Sequence, residues 1–165
     1  MRINAGKYRN HNIEMTNLET TRETSDKVRQ AIFNLIGQFF DGEEAISRGA
    51  CEAYFNDINK QAIETVKRNA LKLKVLEQCD LKNMDFKDYL TSINRPFDII
   101  FLDPPYKMNN VDEILSLIYQ YKLLKSKGII AFEMESQTNP DSKYYKIIKD
   151  RSYGIKRVVI YKEEI

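Results

Sequence analysis

The residues best suited to chemistry are Asp103-Pro104-Pro105-Tyr106, which close the apolar run Phe97-Asp98-Ile99-Ile100-Phe101-Leu102. Such a run predicts a buried strand of a parallel sheet. Neither proline has an N–H to give to a ladder, so the strand must stop there. Its carboxyl end then carries a carboxylate, a rigid turn with free carbonyls and an aromatic ring, at the edge where open α/β sheets bind ligands. The set suits a planar base with an exocyclic amine. Tyr106 would stack on the ring while Asp103 and the Pro104 carbonyl accept from the amine. A purely architectural reading competes: the prolines end the strand, Asp103 caps the turn and Tyr106 covers the sheet edge.

Two further acids follow short strands. Asp57 lies beyond Ala53-Tyr54-Phe55, and Asp85, in Met84-Asp85-Phe86, lies beyond a strand expected around Leu76–Leu81. An acid in the place of Asp57 accepts from ribose hydroxyls in nucleotide-binding folds. The bland alternative makes it a turn residue before a helix Asn59–Leu73, whose Ile63, Val66, Ala70 and Leu73 form the buried side. Asp85 equally suits the cap of a helix containing Tyr89 and Leu90.

Around these residues the elements alternate. Residues 1–20 hold turn formers between short β-prone pieces, predicting a small N-terminal β-hairpin extension. Thr24 or Ser25 caps a helix over Ser25–Phe40, with Val28, Ala31, Ile32, Leu35, Ile36 and Phe39 in one stripe. A helix is expected from about Val111 to Tyr121, a strand over Ile129–Glu133, and two closing strands, Tyr144–Lys149 and Lys156–Lys162, around Tyr153-Gly154. This alternation, without an internal repeat, predicts one α/β domain over residues 1–165. Its sheet would be three-layered, doubly wound and mostly parallel, with an antiparallel C-terminal edge.

At 165 residues, 42% hydrophobic and 30% charged, the chain has the make-up of a globular domain. No apolar run approaches a membrane span and no signal core opens the chain, so the expected compartment is the cytoplasm. Cys51, Cys79 and the single His11 do not make a metal-ligand pattern, and the thiols are expected to be free and buried. A net charge of +2 does not announce a nucleic-acid protein. Basic residues do cluster near the start (Lys7, Arg9, Arg22, Lys27, Arg29) and the end (Lys143, Lys146, Lys149, Arg151, Lys156, Arg157). They form either one phosphate-binding rim or two ordinary solvated faces.

Asp103-Pro104-Pro105-Tyr106 resembles the signature of S-adenosylmethionine-dependent amino-methyltransferases. The block from Thr21 to Asn34, the opening Met1–Tyr8, the piece Glu44–Ala50 and the closing Tyr153-Gly154 with Val158–Tyr161 narrow this. In order and over nearly the whole chain, they resemble the bacterial 16S rRNA guanine-N2 methyltransferases that modify guanine 966. The resemblance implies a Rossmann-like methyltransferase fold, S-adenosylmethionine as cofactor, and 16S rRNA or a partly assembled small subunit as partner. It also implies a monomer without metal. Asp103, Pro104, Pro105 and Tyr106 would be catalytic, and Asp57, Ile58, Asp85, Phe86 and Asp103 would bind cofactor. Lys7, Arg9, Arg22 and Arg29 would meet RNA. One departure stands out: the family's first strand and glycine-rich loop have no counterpart between Phe39–Glu43 and Glu44. A true deletion and a segment lost from the sequence both account for it. The alternatives are therefore an inert or RNA-binding relative, and an adenine-N6 DNA methyltransferase.

Overall fold

The structure, a computed structural model, describes residues 3, 6–15, 46, 49–105 and 111–163. The helix expected over Ser25–Phe40 lies outside them. The described elements are β1 (Ala53–Asn56), α1 (Lys60–Lys72), a 3-10 turn (Leu76–Gln78), β2 (Cys79–Lys82) and α2 (Phe86–Ser92), then β3 (Phe97–Leu102), α3 (Val111–Gln120), β4 (Leu124–Glu135), β5 (Tyr145–Tyr153) and β6 (Lys156–Glu163). They fall into two compact units, Met1–Tyr89 and Leu90–Ile165.

In the first unit β1 and β2 pair in parallel, from Ala53 opposite Cys79 to Asn56 opposite Lys82. Helix α1 is capped by Asn59, whose side chain accepts from the Gln61 N–H at 2.8 Å. It ends in a Schellman motif: the Lys74 N–H donates to Leu71 and the Val75 N–H to Ala70. Lys74 takes the left-handed position usually given to glycine, at φ 59°. That turn and the 3-10 turn after it use up the residues through Gln78, so the strand expected around Leu76–Leu81 starts only at Cys79. The core gathers Ile3, Ile13, Ile46, Ala53, Ala70, Leu73 and Val75. The N-terminal segment closes on itself, with the Ile3 N–H donating to His11 and the Asn10 N–H to Ile3. It is tied to α1 by Asn69, a mid-helix residue only 2% exposed. Asn69 Oδ1 accepts from the Glu14 N–H at 2.7 Å and its Nδ2 donates to the Glu14 carbonyl at 3.0 Å.

The second unit is a four-stranded sheet in the order β3-β4-β6-β5. β3 and β4 are parallel; β4–β6 and β6–β5 are antiparallel, which is the expected C-terminal edge. Gly154, at φ 63°, makes the two-residue turn between β5 and β6. Ile130, Phe132, Val158, Val159, Ile160 and Tyr161 are almost wholly buried, as are Leu115 and Ile118 of α3.

Two of the four described pairings are parallel, so the sheets are mixed rather than mostly parallel. β1–β2 and the four-stranded sheet are also separate sheets among the described residues. β5 and β6 are joined by a two-residue hairpin, a connection open only to antiparallel neighbours.

Of the C-terminal cations, Lys143, Lys146, Lys149 and Arg151 are exposed, but Lys156 and Arg157 are held by carboxylates. Lys156 is buried against Glu133. Arg157 places Nε and Nη2 on the two oxygens of Asp150 at 2.8 and 2.5 Å. That fork holds the Asp150 carboxyl below its ordinary range. No helix of the described residues is long and apolar enough to cross a membrane. Among them no cluster of possible metal ligands occurs. Cys79 is half-buried, but Cys51 is exposed, against the expectation of two buried thiols.

Where β3 and β4 meet, the register jumps between Phe97 and Ile99. Gly128 lies in the inserted stretch of β4, and a Cβ there would come 2.7 Å from Leu124 Cδ1 and 2.9 Å from the Lys125 carbonyl. Gly128→Val is expected to cost about 1–3 kcal/mol. Thermal denaturation should show a melting point lower by roughly 3–10 °C.

Candidate active site

β1, β2 and β3 each lead to an acid within three residues of their ends. In the first unit β1 ends at Asn56 and the exposed Asp57 follows. Its Oδ1 accepts from the Asn59 N–H at 2.7 Å, fixing the turn into α1. The helix cap itself is Asn59, not Asp57. Asp57's second oxygen has no partner among the described residues. Ile58, next in line, is 72% exposed, an apolar side chain left uncovered beside a carboxylate.

Asp85 repeats this economy. Its Oδ1 accepts from the Lys87 N–H at 2.8 Å, the N-cap bond of α2, and its carbonyl accepts from the Tyr89 N–H. The other carboxylate oxygen has no described partner. The two sequence readings of Asp57 and Asp85, local anchor and ligand acceptor, are therefore compatible: one oxygen serves each. Phe86 is half-buried, with Lys87 Nζ 5.8 Å from its ring centre. Because β1 and β2 run side by side in parallel, Asp57, Ile58, Asp85 and Phe86 share one carboxyl edge.

These residues fit the adenosine half of a nucleoside cofactor. A free carboxylate oxygen can accept from ribose hydroxyls, a second can accept from an amine, and Ile58 and Phe86 offer apolar surface for a base. No described residue answers to the glycine loop that would hold the other end.

In the second unit β3 stops at Leu102, opposite Phe132 of β4. Asp103 follows, exposed, then the half-buried Pro104 and the exposed Pro105. The strand and its stop are as the sequence predicts, but its burial is not. No residue of β3 is fully buried, because β3 is an edge of the sheet among the described residues and has a described neighbour on one side only. Tyr106 lies outside the described residues, as do Arg22 and Arg29. Lys7 and Arg9 are exposed on the N-terminal turn, and Lys7 Nζ sits 5.4 Å over the Tyr8 ring. Sequence reasoning missed Asn83, whose amide bridges the Asp57 loop. Its place follows from the β1–β2 register, which sets residue 83 beside residue 57 and which the strand expected around Leu76–Leu81 did not give.

Comparison with known proteins defines the class as an α/β protein of the methyltransferase fold. The solved structure of yhhF, a candidate methyltransferase of Escherichia coli, matches with a TM-score of 0.83, covering 99% of this chain and 98% of its own at 22% identity. That of HI0767, a candidate methylase of Haemophilus influenzae, matches with a TM-score of 0.80 at 26% identity, over 99% and 98% of the two chains. The chain belongs to the family described as Conserved hypothetical protein 95, whose model matches residues 1–162. Its relatives include YlbH of Bacillus subtilis, named as a candidate rRNA methyltransferase, 31% identical over 99% of both chains. Ribosomal RNA small subunit methyltransferase D of Haemophilus influenzae is 29% identical over 98% of this chain and 93% of its own. The YlbH alignment spans 182 positions against 165 residues here, so at least 17 of them have no residue in this chain. With both chains covered to 99%, that deficit is internal.

Asp85→Asn keeps an oxygen for the Lys87 N–H, whereas Asp85→Ala does not. Urea unfolding should find Asp85→Ala less stable by about 1 kcal/mol, with Asp85→Asn close to wild type.

Proposed function

We propose that this chain transfers a methyl group from S-adenosylmethionine to the N2 amine of a guanine in 16S rRNA. The observation that carries the reading is the termination of β3: an apolar strand ends at Leu102 and delivers an exposed carboxylate and a proline carbonyl. Family membership and the rRNA methyltransferase names of its relatives support the substrate class. They also favour rRNA over the adenine of DNA.

When bound, the cofactor supplies a methyl group on a sulfonium, an electrophile with a good leaving group. The chain's own residues have to hold and align. Asp57 accepts from the ribose hydroxyls and Asp85 from the adenine amine, with Ile58 and Phe86 against the adenine ring. Guanine N2 is a weak nucleophile because its lone pair is conjugated with the ring. Asp103 and the Pro104 carbonyl accept its two N–H bonds, favour a pyramidal nitrogen and orient the lone pair; alignment of this kind is worth several kcal/mol. Pro105 keeps the turn rigid. Asp103 need not be a strong base, since the product amine sheds its proton late. Tyr106 stacks on a base swung out of its helix, at about 1–3 kcal/mol. Lys7, Arg9, Arg22 and Arg29 meet phosphates of the substrate, which is 16S rRNA or a partly assembled small subunit.

Asp103→Ala should abolish methylation of 16S rRNA while calorimetry finds cofactor affinity within a few fold of wild type. Normal turnover in that variant would remove the assignment. Tyr106→Ala should raise the KM for rRNA by roughly tenfold or more without touching cofactor affinity.

A second reading has its own support in the internal deficit and the two separate sheets. The chain would then be an RNA-binding relative without catalysis. Titration of the wild-type protein with S-adenosylmethionine separates the two, because absence of binding at millimolar concentration supports this second reading.

A further inference from the structure

We infer that Asn83 is a positioning residue for the cofactor, holding the Asp57–Ile58 loop in the conformation that presents its carboxylate and its apolar side chain. This role rests on the cofactor reading above. The ladder between β1 and β2 ends at Asn56 and Lys82. Beyond it the backbone bond from the Asp57 N–H to the Lys82 carbonyl is already long, at 3.3 Å. Asn83 takes over where the ladder fails. Its Nδ2 donates to the Asp57 carbonyl at 2.8 Å and to the Ile58 carbonyl at 2.9 Å.

Only a side-chain amide gives two hydrogens from one uncharged nitrogen at this reach. Leucine of similar shape gives none, and aspartate would set carboxylate oxygens against two carbonyl oxygens. The bridge grips two successive peptides, so it fixes rotation of the chain between them. That rotation decides where the Asp57 carboxylate and the exposed Ile58 side chain stand. On the far side the Asp57–Asn59 bond fixes the same turn. The loop is thus held from β2 and from α1 at once. Asn83 is itself exposed and outside the core, so its loss acts on the loop rather than on the fold.

The test is Asn83→Leu in the full chain. In the ligand-free protein, hydrogen exchange of the hydrogen-bonded Asp57 and Asn59 amides should quicken while exchange in β4 and β6 stays as in wild type. Calorimetry should find S-adenosylmethionine bound about tenfold more weakly, the scale of one or two lost hydrogen bonds. The kcat at saturating cofactor and the KM for rRNA should not change, nor should the melting point move by more than about 2 °C. If exchange and affinity equal wild type, Asn83 has no such role and the proposed function stands untouched. If melting point and kcat fall together, Asn83 is a structural residue and the inference is overturned. If the wild-type protein binds no S-adenosylmethionine, the cofactor reading and this role both fail.

Discussion

Parallel pairing forces neighbouring strands to finish at the same edge, and in this chain Asp57, Asp85 and Asp103 sit one to three residues past such a finish. Between β1 and β2 the register sets Asn56 against Lys82, so Asp57 and Asn83 emerge side by side and Asp85 follows two residues later. A slip by one residue would move Asn83 out of reach of the two carbonyls it bridges. In its own unit β3 obeys the same rule, its ladder with β4 running to Leu102 and no further. The helices α1 and α2 begin immediately after these ends, and their first turns anchor the acids.

Much of this was legible. The strand ends at Asn56 and Leu102, the helix over residues 60–72 and the antiparallel edge follow from apolar runs, caps and the turn at Gly154, which are local signals. What sequence reading missed is where a residue acts against its type. Lys74 and Lys122 occupy left-handed positions that a reader assigns to glycine, and both end helices in Schellman motifs. Asn69 looks like a solvated helix residue, yet it is buried and supplies two hydrogen bonds to the Glu14 backbone of the N-terminal segment. Lys156 and Arg157 look like part of a basic face, but Glu133 and Asp150 claim them. Such pairings depend on residues distant in sequence, and periodicity carries no trace of them.

The described residues form two separate sheets, and the alignment with YlbH shows an internal deficit of at least 17 positions in this chain. Each unit makes a core of its own: Ile3, Ala53, Ala70 and Val75 in one unit, and Ile130, Phe132, Val158 and Ile160 in the other.

The double duty of Asp57 and Asp85 has a thermodynamic corollary. A carboxylate free to rotate on an open loop loses that freedom when a ligand arrives, and the loss is subtracted from affinity. Here the α1 turn and the α2 cap have already frozen both side chains during folding. On the proposed reading, the hydroxyls or amine of an incoming nucleoside would meet acceptors whose rotamers are settled, so recognition need not be slowed or weakened by a search among them.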